Sequence, residues 1–93
     1  MSESKKEPIA GVIYPCSFYV QKKESKKWMD RGVYDSCVKM DNNLEIDEYE
    51  FMCRRAMFKK GADKKNIDKF RVIKVEVDYD TPLCREEFLI NAI

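Results

Sequence analysis

Residues 70–80, with the sequence FRVIKVEVDYD, constrain the fold of this chain more than any other stretch. From Ile73 to Tyr79, apolar side chains alternate with charged ones. This alternation is typical of a strand with one buried face, and its β-branched residues favour extended backbone. We therefore expect a sheet that packs one side against another layer. A chain of 93 residues has room for one small domain and one modest core around it.

Two earlier stretches also predict strands. Residues 16–22 are rich in β-branched and aromatic side chains, and Pro15, which cannot donate to a ladder, predicts that this is an edge strand. Residues 28–40 predict the second strand, with Gly32 marking a bulge or a bend. The polar sequence KKESKK between them predicts the turn of an antiparallel hairpin.

A helix is predicted after the hairpin, starting near Ile46. Asp47 and Glu50 match a capping box, and Ile46 and Phe51 match the hydrophobic staple that often accompanies it. Gly61 is placed to end the helix in a left-handed conformation. The apolar residues that recur at helical spacing on one face are Tyr49, Met52, Cys53, Ala56 and Met57.

The end of the chain, residues 80–93, predicts a turn and a short helix, with Thr81 as its cap and Pro82 at its first position. Residues 1–7 are expected to be a flexible tail, which leaves residues 8–93 as one domain. The predicted fold is α+β, in the order β-β-α-β-α. It is a small antiparallel sheet with one main helix packed on one face.

Several kinds of chemistry are not supported by the sequence. The chain has no histidine, so it has no Ser-His or Cys-His nucleophile pair, and it has no glycine-rich phosphate loop. Its four cysteines do not have zinc-site spacing. The first residues do not read as a secretory signal, and no apolar run is long enough to span a membrane. We expect a cytoplasmic protein with reduced cysteines, no cofactor, no membrane partner and no catalytic activity.

A candidate binding surface lies on the helix. At about 100° per residue, Phe51 and Phe58 lie opposite the apolar face and are flanked by Arg54 and Arg55. Aromatic residues beside arginines are typical of protein-binding hot spots, although the staple and the C-terminal segment offer other uses for the two phenylalanines. The sequence predicts a small non-catalytic protein-binding module, such as an inhibitor or regulator of a host protein machine encoded by a virus or phage. A homodimer is also compatible with its small core.

A second candidate surface is the predicted hairpin turn. Cations beside aromatic side chains can hold nucleic-acid strands, although a lysine-rich loop also serves solubility and the formal net charge is only +1. Tyr19 lies nearby in the sequence. The candidate nucleic-acid contacts are Lys22, Lys23, Lys26, Lys27 and Trp28.

Residues 39–50 and 76–87 resemble the calcium-binding loops of the EF-hand family, which place oxygen ligands at fixed positions of a twelve-residue loop. Lys39, Leu44 and Thr81 depart from the family pattern. The resemblance implies, as an alternative, a mostly helical, calcium-sensor-like protein with two paired sites. The implied ligands are Asp41, Asn43, Asp47, Glu50, Glu76, Asp78, Asp80 and Glu87. The capping box explains the first match without a metal, so no metal site is expected outside this alternative.

Overall fold

A computed structural model describes residues 7–83. Strands β1 (Ile13–Glu24) and β2 (Lys27–Lys39) form a hairpin, helix α1 (Tyr49–Lys59) follows, and a short 3₁₀ turn leads into β3 (Phe70–Val77). The three strands are antiparallel and have the spatial order β2-β1-β3. The predicted α+β class, a small antiparallel sheet with one helix, is confirmed.

The predicted C-terminal helix lies mostly outside the described residues. At its predicted start the chain is not helical, because the Leu83 N–H donates to the Ile13 carbonyl at 2.7 Å and the two residues form an antiparallel bridge. The placement of Thr81 and Pro82 as the first residues of a helix is therefore wrong. The predicted tail, residues 1–7, also lies outside the described part except for the exposed Glu7.

Strand β1 supplies four of the nine buried core residues because its alternate side chains all point to the same face of the sheet. That face is covered by α1. Within residues 7–83 no helix or strand covers the opposite face, which we call the open face. Ala56, in the middle of α1, is fully buried. The buried core residues are Tyr14, Cys16, Phe18, Val20, Val38, Met40, Ala56, Ala62 and Phe70.

The prediction that β1 is an edge strand is wrong, since β1 lies between the other two strands. Pro15 is tolerated because it lies where the pairing with β3 ends. Its carbonyl accepts a hydrogen bond from the Asp78 N–H at 2.9 Å. Proline has no N–H to complete this pair, so the ladder stops and β3 ends at Val77 rather than at residue 80.

The hairpin is closed by a two-residue turn in which Ser25 and Lys26 both have positive φ, 50° and 70°. This is the combination that a type I′ turn requires. The bulge predicted at Gly32 is confirmed: its φ is 98°, and the register between β1 and β2 shifts after Val20. The pairing of β1 with β3 shifts next to it, between Tyr19 and Val20.

The start of α1 differs from the predicted capping box. The N-cap is Glu48, which has a left-handed φ of 54° and makes no side-chain cap hydrogen bond. Asp47 is held elsewhere, because its N–H donates to the Lys39 carbonyl at 2.7 Å and its carboxylate lies 3.7 Å from the Lys39 ammonium. The predicted staple is also wrong: Ile46 packs against the core, and Phe51 is exposed.

The end of α1 confirms the prediction for Gly61, which has a φ of 111°. Its N–H donates to the Phe58 carbonyl, and the Ala62 N–H donates to the Met57 carbonyl at 3.0 Å. This pair of bonds is a Schellman motif. Ala62 is buried just after the turn, so the motif also directs the chain back onto the sheet.

Candidate functional site

The four predicted partner-binding residues line one open groove on α1. Ala56 is buried against the sheet. Phe51, Arg54 and Phe58 lie on the opposite side of the helix, and Arg55 lies at its flank, within reach of the sheet. Phe51 is 56% exposed and Phe58 is 45% exposed, which is unusual for side chains of this type. Together with Lys59, the four residues line an open groove of about 500 Å³. The predicted residues are Phe51, Arg54, Arg55 and Phe58.

One wall of this groove is fixed to the sheet. The Arg55 Nε donates a hydrogen bond to the Tyr34 hydroxyl at 3.2 Å, and this bond lowers the pKa of Tyr34. Tyr34 itself packs beside the buried Phe18. The guanidinium is therefore positioned by an element other than its own helix. The sequence alone did not reveal this contact because the two residues belong to different elements.

The groove is electropositive. Within residues 7–83, the ion pairs involve other side chains, and none engages Arg54, Arg55 or Lys59. The two guanidinium groups therefore keep donors for a carboxylate, which arginine can bind in a bidentate manner. An apolar side chain can lie between Phe51 and Phe58, so the groove matches an apolar group flanked by carboxylates.

The predicted nucleic-acid residues do not form one surface. Lys23 pairs with Trp28 across the hairpin, and both belong to the open face. The neighbouring Lys22 points to the other face, with its ammonium 5.7 Å from the centre of the Phe70 ring. Lys26 and Lys27 lie at the turn and at the start of β2.

The aromatic rings of the open face are already covered by cations. The Arg71 guanidinium lies 4.0 Å from the centre of the Trp28 ring, and the Lys74 ammonium lies 5.3 Å from that of Tyr19. Each contact occupies a ring face on which a base would stack. Sequence reasoning missed Arg71 because β3 is distant from the hairpin along the chain.

The first resemblance to a calcium-binding loop corresponds to a turn after β2. The Asp41 carboxylate accepts hydrogen bonds from the backbone N–H groups of Asn43 and Glu45, at 2.8 and 3.0 Å. Leu44 adopts a φ of 65° in this turn. The Asp41 carboxylate, an implied calcium ligand, thus accepts hydrogen bonds from the backbone of its own turn. Asp47, another implied ligand, forms an ion pair with Lys39.

The second resemblance, residues 76–87, requires a helix immediately before its loop. Residues 70–77 form β3 instead, so the helical fold that the resemblance implies is wrong here. The Glu76 carboxylate accepts a hydrogen bond from the Tyr19 hydroxyl and lies 3.0 Å from the Lys74 ammonium. Both contacts, that with Tyr19 first, lower the pKa of Glu76. Asp78 accepts from the Asp80 N–H, and Glu87 lies outside the described residues. Within residues 7–83, no three His, Cys, Asp or Glu side chains are grouped to hold a metal ion.

Three cysteines lie in the described part of the chain, and all three are free thiols. Cys16 is buried, and this burial raises its pKa to about 12. Cys53 lies on the helix face toward the core, where partial burial also raises its pKa. Cys37 is exposed on the edge strand β2. Cys84 lies outside the described residues.

Comparisons with protein-family models, curated proteins and solved structures found no match for this chain. Among residues 7–83, no helix is long and apolar enough to cross a membrane.

Proposed function

We propose that this protein is a small, non-catalytic protein-binding module that binds its partner through the groove on α1. The observation that carries the proposal is the pair of exposed phenylalanines, Phe51 and Phe58, on the helix face that the sheet leaves uncovered. Their position beside Arg54 and Arg55 supports a partner segment with an apolar side chain flanked by Asp or Glu.

The energetics favour this surface as a binding site. Burying a phenylalanine side chain completely contributes roughly 1.5–3 kcal/mol, so two half-exposed rings leave substantial apolar area for a partner to cover. Hot spots are enriched in arginine, and a guanidinium held by Tyr34 loses less side-chain entropy on binding. A module of this size would act by occupying a surface of a larger protein. An inhibitor or regulator of a host protein machine fits that mode of action, by analogy with other small domains.

The experiment is a selection from a library of displayed twelve-residue peptides, against the wild-type chain and against the variant Arg55→Ala/Phe58→Ala. Peptides enriched on the wild type should contain an apolar residue flanked by acidic residues, and they should bind the variant at least tenfold more weakly in fluorescence anisotropy. The matched control is Arg71→Ala/Ile73→Ala, which removes a cation and an exposed apolar residue from the sheet. Equal binding to the wild type and the groove variant would overturn the proposal.

The same assay tests the nucleic-acid alternative. A labelled single-stranded oligonucleotide replaces the peptide, at low salt where phosphate contacts are strongest. Binding that survives the Arg55→Ala/Phe58→Ala change but is lost in Lys23→Ala/Trp28→Ala would move the function to the hairpin. Circular dichroism of each variant shows whether the mixed α+β fold is retained.

A further inference from the structure

In the part of the chain that the structure describes, strand β3 has an unpaired outer edge. It is the last strand of the sheet and, among the described residues, it pairs only with β1. The Asp78 N–H points toward β1, where it binds Pro15. Because the backbone groups of an antiparallel strand alternate in direction, those of Val75 and Val77 point to the outer edge. An edge of this kind can pair with another strand.

The charges along this edge are complementary to themselves. In an antiparallel pairing centred on Val75, Lys74 of each copy lies opposite Glu76 of the other. Both side chains are at least half exposed and belong to the open face of the sheet. We propose that β3 pairs with β3 of a second copy of this chain in this register, which joins the two sheets into one sheet of six strands.

Neighbouring registers are less favourable. A pairing centred on Val77 would place Glu76 opposite Asp78 of the other copy, and like charges directly opposite are destabilising. A pairing centred on Ile73 would fall on the irregularity where the register with β1 shifts. The register at Val75 therefore combines regular backbone with opposite charges.

The apolar side of β3 supports the same arrangement. Val75 and Val77 pack against the edge of the core and remain partly exposed. In the proposed register the two Val75 side chains are direct neighbours on the helix side of the sheet. β-branched cross-strand pairs of this kind stabilise a ladder.

The other edge of the sheet, on β2, is less suited to pairing. The turn after β2 folds back along this edge. The Asp47 N–H donates to the Lys39 carbonyl and the Asp41 N–H donates to the Glu45 carbonyl, both at 2.7 Å. Met40 and Ile46 form a bridge between these two bonds. This turn covers one end of the edge. The bulge at Gly32 interrupts the edge further along.

The first test compares oligomeric states by sedimentation velocity over a range of concentrations. The single changes Lys74→Glu and Glu76→Lys each place like charges opposite one another, and they should weaken dimerisation by about tenfold or more. The double variant Lys74→Glu/Glu76→Lys exchanges the two charges and should restore the dimer. The matched control is Lys39→Glu, the same charge reversal on the β2 edge, which should leave the dimer unchanged.

A backbone variant provides a second test. Val75→Pro removes an N–H that points away from β1, so the fold should be retained while pairing with a second copy is lost. Circular dichroism verifies the fold. A wild-type chain that remains monomeric up to about 1 mM would overturn the proposal. A dissociation constant above about 1 mM corresponds to a free energy of association smaller than about 4 kcal/mol. A dimer that persists in Val75→Pro and in both single charge variants would also overturn the proposal.

Discussion

The contrast between Phe18 and the two phenylalanines of α1 provides the most informative prediction. Phe18 is fully buried at the centre of β1, and Phe51 is 56% exposed. If the groove is open in solution, replacing each ring by alanine should have very different effects on the free energy of unfolding. Phe18→Ala leaves a cavity in the core and should cost roughly 3–5 kcal/mol.

For Phe51→Ala the expected decrease in the free energy of unfolding is much smaller than for Phe18→Ala. A little under half of this ring is covered, so at 1.5–3 kcal/mol for full burial the lost contact amounts to roughly 0.7–1.3 kcal/mol. Alanine has a higher helix propensity than phenylalanine, which returns roughly 0.5 kcal/mol. The net cost should lie below about 1 kcal/mol, and the same reasoning gives a similar value for Phe58→Ala.

Urea denaturation followed by circular dichroism measures these costs directly. In thermal melts, Phe18→Ala should lower the Tm by about 12 °C or more, at roughly 4 °C or more per kcal/mol for a domain of this size. If that variant does not fold, Phe18→Leu serves as a milder core change. A loss above about 2 kcal/mol in Phe51→Ala or Phe58→Ala would refute the reasoning, because it would mean that the ring is covered in solution.

Three further changes test the backbone and the core. Gly61→Ala should lower the free energy of unfolding by roughly 1–2 kcal/mol in urea melts, because the φ of 111° disfavours a side chain while the added Cβ meets Phe70 only at an ordinary 3.9 Å; an unchanged midpoint would contradict this. Lys26→Gly should raise the same free energy by up to about 1 kcal/mol, because the type I′ turn holds Lys26 at positive φ; a lower midpoint would count against that turn. Burial raises the pKa of Cys16 from 9.0 to about 12, so its contribution to stability should be fully present below about pH 9 and lost as the pH rises toward 12. Between about pH 9 and about pH 12 the free energy of unfolding of Cys16→Ala should therefore fall less steeply than that of the wild type. Equal slopes for the two proteins would disprove the contribution of Cys16.

Local periodicity was sufficient to predict most of the secondary structure. The alternation around Val75 predicts β3, and the helical spacing around Ala56 places the buried side of α1 correctly. The same spacing predicts that Phe51, Arg54 and Phe58 share one face with Arg55 at its flank, because a helix fixes the angles between its side chains. Gly61 and Gly32 were also interpreted correctly, since both have positive φ.

The errors share a cause in contacts between residues distant in the sequence. Whether β1 is central depends on which strand joins each of its edges, and Pro15 is compatible with a central strand only because β3 ends beside it. The capping box failed because Lys39 holds Asp47 and leaves Glu48 to start the helix. Local sequence patterns cannot reveal such partners, because the competing contact comes from a different element.

The two proposed surfaces are separable in the structure. In the proposed dimer, the two-fold axis passes through the Val75 pair and is perpendicular to the joined sheet. Both copies of α1 therefore lie on the same face of that sheet. The groove faces away from the sheet, so strand pairing would leave Phe51 and Phe58 uncovered in each copy. Changes at Lys74 and Glu76 should therefore alter self-association without altering the affinity of one groove for a single peptide. They would weaken binding only to a partner with two such segments, because only that partner gains from having two grooves on one side.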